Sequence, residues 1–256
     1  MKIEHVEIRE IHLPLVHFFE TSFGRTTERR VVLVRVEAES LTGWGEVTCG
    51  EQPFYSYETP ETAWHILRDF LIPWSLERKW ADASELARCF RPIRGHNMAK
   101  AAIENALWDI ESQMKGVPLW KHLGGTLEEI PCGVSIGIQN TVEDLLEKIQ
   151  RELDAGYQRI KVKIKPGWDL DVLERIRQGF PRIALMADAN SAYTLADLPL
   201  LQSLDRFYLM MIEQPLGWED LIDHARLQRE IATPVCLDES IHSAEDARKA
   251  IDIAAG

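Results

Sequence analysis

From residue 131 onward the chain alternates two patterns with a regularity that few folds accommodate. The runs PCGVSIGI (131–138), RIKVKIK (159–165), RIALMADAN (182–190), FYLMMIEQP (207–215) and TPVCLDES (233–240) read as strands. Between them lie the helical segments TVEDLLEKIQRELDAG, DLDVLERIRQGF, TLADLPLLQSLD and EDLIDHARLQREIA, and SAEDARKAIDIAA follows the last strand. Strand–helix units of this length imply parallel strands joined by helical crossovers, in an open doubly wound sheet or a closed barrel.

Four of these strands end in a polar residue that a buried parallel strand does not need: Lys163, Asp188, Glu213 and Asp238. They recur every 25 residues, so the spacing predicts equivalent positions near the C-terminal ends of consecutive strands. In a (β/α) barrel those ends carry the active site. Taken singly, each acid has an ordinary explanation: an Asx turn for Asp188, a solvated loop for Glu213, the approach to the next helix for Asp238. Three in register argue against coincidence. Adjacent strands about 4.8 Å apart would bring the carboxylates within reach of one cation. Uncompensated, they would repel and be costly to desolvate. Oxygen ligands without His or Cys at the same register favour Mg²⁺, with Mn²⁺ as the alternative, over zinc.

The strand RIKVKIK puts Lys161, Lys163 and Lys165 on one face and Val162 and Ile164 on the other. Alone, that describes a half-buried strand with its lysines in water. Beside a bound divalent cation, a proton on Lys163 becomes unfavourable, which suits it to act as a base. The matching chemistry is removal of a proton α to a substrate carboxylate, with Lys161 neutralising that carboxylate. Lys165, nearest the turn, is expected in solvent. Leu209, Met210 and Met211 are expected to fill the barrel core or its helix-facing layer.

The first half reads differently. Residues 2–13 and 29–37 alternate as strands, TGWGEV (42–47) enters a third, and helices follow from Pro60 and over 98–116, the latter stopped by Gly116. This is an α+β arrangement, with LGGT (123–126) as the boundary turn, so the expected domains are 1–125 and 126–256. The acidic balance, 41 Asp and Glu against 29 Lys and Arg, argues against nucleic-acid binding. No apolar run reaches the roughly 20 residues that span a bilayer, and MKIEHVEIRE is no secretory signal, so a cytoplasmic protein without a membrane partner is expected. Cys49, Cys89, Cys132 and Cys236 are too scattered for a zinc site and are expected as reduced, mostly buried thiols.

The strings KVK, DAN, EQP and DES, in order on four successive strands, resemble the enolase superfamily, muconate-lactonizing branch. The longer stretches GVSIGI, RIKVKIKPGWD, LMADANSAYTLAD, LMMIEQPL and TPVCLDESI resemble the o-succinylbenzoate synthase / N-acylamino acid racemase group, and TSFG, GWGE and NMAKAAIENALWD resemble its capping domain. The resemblance implies an N-terminal α+β cap and a modified, incomplete TIM-type barrel with about five of eight strands. It implies Mg²⁺ on Asp188, Glu213 and Asp238, Lys163 as acid/base catalyst with Lys161 beside it, Asn190 and Glu239 supporting the metal, and Ser135 contacting a small carboxylate substrate. Segments Thr21 to Gly24 and Gln52 to Tyr57 would be lid loops. The implied reaction is syn dehydration of a cyclohexadiene carboxylate (SHCHC) to o-succinylbenzoate in menaquinone synthesis, or racemisation of N-acylated amino acids.

The family's second lysine would fall one 25-residue step beyond Asp238, past Gly256. The chain is therefore expected to be a fragment of a longer enzyme, homo-oligomeric at full length, and inactive and prone to association by itself. The rival readings are a dipeptide epimerase or other muconate-lactonizing-type enzyme, and an inert fragment. Nucleotide-binding glycine motifs, the G-x-S-x-G elbow and the H-E-x-x-H helix are absent from the sequence.

Overall fold

A computed structural model describes residues 1–256. The chain divides into two compact units, one formed by Met1–Val16 and Glu28–Glu129, the other by His17–Thr27 and Ile130–Gly256. The expected boundary turn at 123–126 lies just before this division, but the transfer of residues 17–27 to the second unit has no counterpart in the sequence reading.

The first unit is a three-stranded sheet, in the order β1-β2-β3, with helices. Strands β1 (Ile3–Glu20) and β2 (Arg25–Ala38) are longer than their alternation predicts. β2 pairs antiparallel with β3 (Leu41–Val47) through a two-residue turn, Glu39–Ser40, with both φ angles positive, the geometry that suits the twist of a hairpin. Helix α1 (Pro60–Ile66) starts on a Thr59 capping box and runs through a wide turn at Leu67–Leu71 into α2 (Ile72–Leu76). Helix α3 (Ala83–Cys89) was not expected from the sequence; Asp82 caps it by accepting from the Glu85 amide at 2.6 Å.

Helix α4 (Asn97–Lys115) ends at Gly116 in the left-handed conformation. It buries Ala99, Ala102, Ile103, Ala106, Leu107 and Ile110, the spacing of one helical face. That face lies on the backbone of β3. A Cβ built on Gly45 would stand 1.7 Å from the Ala102 carbonyl oxygen, and one on Gly43 would stand 2.0 Å from that of Ala106. Glycine on the strand and alanine on the helix are what permit the approach. A short helix, α5 (Leu119–His122), follows.

The second unit is a parallel five-stranded sheet, β4 (Gly133–Ile136), β5 (Arg159–Lys163), β6 (Ala184–Asp188), β7 (Ile212–Glu213) and β8 (Val235–Cys236), in chain order. Helices α6 (Val142–Asp154), α7 (Leu170–Gly179), α8 (Leu198–Ser203), α9 (Ile222–Glu230) and α10 (Ala244–Asp252) alternate with them. The core between sheet and helices holds Ile160, Val162 and Ile164 against Leu145, Ile149 and Leu173. This is the partial barrel expected, with its five strands as an open sheet.

Several strands are shorter than their apolar runs. In FYLMMIEQP the strand proper is Ile212–Glu213: Leu204–Phe207 forms a helical turn and Tyr208 is left-handed, although the Met210 amide still donates to the Leu185 carbonyl at 2.8 Å. Leu209 is buried as expected, whereas Met210 is 39% exposed. The four cysteines are free; Cys49 is buried, Cys89 and Cys236 are half-buried, and Cys132 is exposed, contrary to the expectation for that thiol.

Candidate active site

The parallel register brings the charged strand ends together. Lys163 pairs with Asp188 across β5–β6, and Asp188 pairs with Glu213 across β6–β7. Lys163 Nζ donates to Asp188 Oδ2 at 2.5 Å, and Lys161 Nζ donates to both oxygens of Glu213 at 2.8 and 2.9 Å and lies 3.0 Å from Asp188 Oδ2. Asp188 is fully buried and Lys163 is 7% exposed. The reading of these lysines as a solvated face is thus ruled out for Lys163 by its burial.

Burial opposes the charge of Asp188, but the Lys163 and Lys161 ammonium groups outweigh it and hold its carboxyl below the usual range. Glu213 behaves oppositely: burial and the Asp188 charge push it up to about 7, against the hydrogen bond from Lys161. Burial works against the charge of Lys161 too, yet its bonds to Glu213 and the Asp188 charge raise its pKa. The neighbours therefore hold two carboxyl groups of different proton affinity side by side.

Asp238 departs from the expected equivalence. Glu213 pairs with Cys236, not Asp238, so the third acid lies two residues beyond the ladder, in the turn after β8. The cause is local: β8 stops at Cys236, and strand pairing follows the hydrogen-bond ladder rather than a fixed residue count. With the Asp188 and Glu213 oxygens bonded to Lys163 and Lys161, no three His, Cys, Asp or Glu side chains are gathered around one point in this arrangement. Asp238 is half-buried, with its amide donating to Gln214 Oε1 at 2.9 Å.

The supporting residues connect the strand ends. The Asn190 amide donates to Asp188 Oδ1 at 3.1 Å, and Asn190 Nδ2 donates to Glu239 Oε1 at 2.9 Å. Asn190 Oδ1 and Glu239 Oε2 are buried without a hydrogen-bond partner. Burial, foremost, raises the Glu239 pKa. Buried oxygen atoms beside Asp188 are the donor type a hard divalent cation takes, so the residues present fit Mg²⁺.

A cavity of about 340 Å³ opens beside this cluster, lined among others by Ser135, Lys161, Met186, Met211, Glu213 and Cys236. Ser135 is exposed and is the ladder partner of Lys161. Met211 therefore borders the cavity rather than filling the core.

Residues 17–27 add contacts that the strand pattern does not reveal. The Phe19 ring centre is 5.9 Å from Lys163 Nζ, and Lys165 Nζ pairs with Glu20 Oε1 at 3.1 Å, so Lys165 is not simply solvated. The Ile138 amide donates to the Glu20 carbonyl at 2.9 Å, and Ser22 Oγ donates to the Asn190 carbonyl at 3.1 Å. The expected lid segment Thr21 to Gly24 is thus bonded to the site's own unit. Residues 52–57 form turns and bends in the first unit.

A parallel β/α sheet with paired lysines and carboxylates at its C-terminal strand ends defines a class, and comparison with known proteins agrees. Residues 4–124 match the mandelate racemase / muconate lactonizing enzyme N-terminal domain, and residues 144–255 match the enolase C-terminal domain-like family. The chain belongs to the enolase superfamily, in the group of o-succinylbenzoate synthases and N-acylamino acid racemases. It is 53% identical to an o-succinylbenzoate synthase of Geobacillus kaustophilus, over 99% of this chain and 68% of that protein. It is 48% identical to an N-succinylamino acid racemase of Thermus thermophilus, over 100% of this chain and 69% of that protein. A solved enolase-superfamily member from Listeria innocua superposes with a TM-score of 0.93 at 40% identity, covering 100% of this chain and 69% of that one. Enzymes of this superfamily depend on Mg²⁺. No helix here is long and apolar enough to cross a membrane.

Proposed function

We propose that the chain carries the chemistry of an o-succinylbenzoate synthase, the syn dehydration of SHCHC to o-succinylbenzoate. The observation that carries this reading is the buried contact between Lys163 and Asp188, with Lys161 bridging to Glu213, beside an open cavity. Identity to a synthase of that name supports it.

In this reading Asp188, Glu213 and Asp238 hold Mg²⁺, with Asn190 and Glu239 supporting them. The bound cation supplies positive charge where the substrate carboxylate gains electron density as the α-proton leaves. Lys163, as the free amine, accepts the α-proton; on the same face its ammonium form then protonates the departing hydroxyl. The Lys161 ammonium offsets the substrate carboxylate's charge, and Ser135 contacts the substrate from the cavity wall.

Racemisation of N-succinylated amino acids is the second reading, favoured by 48% identity to a racemase of that name. Both reactions start with the same proton removal. The test incubates the chain and Mg²⁺ in D₂O with SHCHC, N-succinyl amino acids or dipeptides, followed by proton NMR. Formation of o-succinylbenzoate is the expected result, and it would overturn the expectation that the chain is inactive by itself. Deuterium incorporation into N-succinyl amino acids alone would favour the racemase, into dipeptides alone the epimerase, and no reaction of any substrate would refute the catalytic reading.

A further inference from the structure

The two-residue offset of Asp238 leaves its turn without ladder support, and one side chain supplies it. Gln214, next to Glu213, is fully buried and has a positive φ of 39°. Its Oε1 accepts from the amides of Asp238 at 2.9 Å and Ser240 at 3.3 Å. Its Nε2 donates to Ser240 Oγ at 2.6 Å and to the Gly217 carbonyl at 3.2 Å. All four hydrogen-bonding positions of the amide are used, and three of them engage residues 238–240.

The backbone of Gln214 ties in the remaining strand end. Its amide donates to the Cys236 carbonyl at 2.8 Å, and its own carbonyl accepts from the Ser191 amide at 2.7 Å. One residue thus fastens the turn bearing Asn190 and the turn bearing Asp238 and Glu239 to the strand bearing Glu213. A left-handed conformation in a residue other than glycine costs free energy, and these bonds offset it.

We propose that Gln214 is a positioning residue that presets the turn carrying Asp238 and Glu239 for a divalent cation. The inference rests on the reading of Asp238 as a ligand given above. An apolar side chain of similar length would leave the Asp238 and Ser240 amides unpaired and free the turn, without touching the cation's own ligands.

The test measures Mg²⁺ binding by titration calorimetry for the unsubstituted chain, Gln214→Met and Asp238→Asn, with circular dichroism and thermal melting in EDTA as the folding control. Gln214→Met, folded in EDTA, is expected to lose affinity by about tenfold or more, the scale of outer supporting groups at metal sites. Asp238→Asn is expected to lose more. Weakened binding in Asp238→Asn with undiminished binding in Gln214→Met overturns the inference alone. Undiminished binding in Asp238→Asn overturns the ligand reading and the inference with it. A second measurement needs no variant: in EDTA, the amides of residues 238–240 in the unsubstituted chain should exchange slowly with deuterium. Exchange as fast as in an exposed loop would overturn the inference even if Gln214→Met failed to fold.

Discussion

Lys163 and Asp188 are partners in the β5–β6 ladder, and their side chains close an ion pair of 2.5 Å across it. The ladder, rather than a flexible loop, sets how the amine and the carboxylate meet. Lys163→Met should therefore remove the group that accepts the substrate proton while leaving Lys161 as a counter-ion for Asp188. Exchange of the α-proton in D₂O is expected to fall by about a hundredfold or more, measured by proton NMR on protein with unchanged circular dichroism. An unchanged exchange rate would remove Lys163 from the reaction.

The contact of β3 with α4 leaves no room for a methyl group. Gly45→Ala would place its Cβ against the Ala102 carbonyl, a backbone atom that no rotamer change can move aside. Overpacking of this kind costs about 3 kcal/mol or more. Chemical denaturation should show the loss, and Gly24→Ala, where no atom lies within 4 Å of the added Cβ, is the control.

Tyr193 and Asp169 form a buried pair, with the hydroxyl donating to Asp169 Oδ2 at 3.0 Å. Asp169 also caps α7, accepting from the Leu170 amide at 2.6 Å. Tyr193→Phe keeps the ring and removes one donor from a buried carboxylate. The expected cost is about 1–3 kcal/mol in urea denaturation.

His224 is buried, with Nε2 accepting from the Leu216 amide at 3.1 Å and Nδ1 donating to the Asp220 carbonyl. A proton on Nε2 would break the first bond, and burial, the largest influence, lowers the pKa from 6.5. The unfolded chain therefore binds this proton more readily than the folded one. Its contribution to stability is present above pH 6.5 and is lost as pH falls below that value towards the folded pKa. In His224→Gln, whose amide oxygen can still accept, the denaturation midpoint should decline less between pH 6.5 and lower values than in the unsubstituted chain.

The alternation of strand and helix and the 25-residue step were legible because both are periodic. They located Lys163, Asp188 and Glu213, which the ladder joins directly. For Asp238 the step and the ladder register differ by two residues, since a residue interval does not report where a two-residue strand ends. Helix α3 carried a readable signal in Asp82 and Glu85, a cap followed by an acidic first turn, but its seven residues are too few for a clear periodic stripe. The contact of Phe19 with Lys163 and the pairing of Glu20 with Lys165 join segments some 145 residues apart. No local pattern encodes such a contact. Gln214 carries no such signature for another reason: an amide side chain beside a proline has no distinctive pattern, and only its burial and bonding reveal its use.

The assignment of residues 17–27 to the second unit has a practical corollary for gene dissection. The two units are not colinear with the polypeptide, so no single cut yields both intact. A piece beginning at Ile130 would lack the carboxylate that pairs Lys165 and the carbonyl that holds Ile138. Chimeras exchanging the sheet-bearing half between relatives should carry this eleven-residue ribbon with it, as a graft from the far end of the gene.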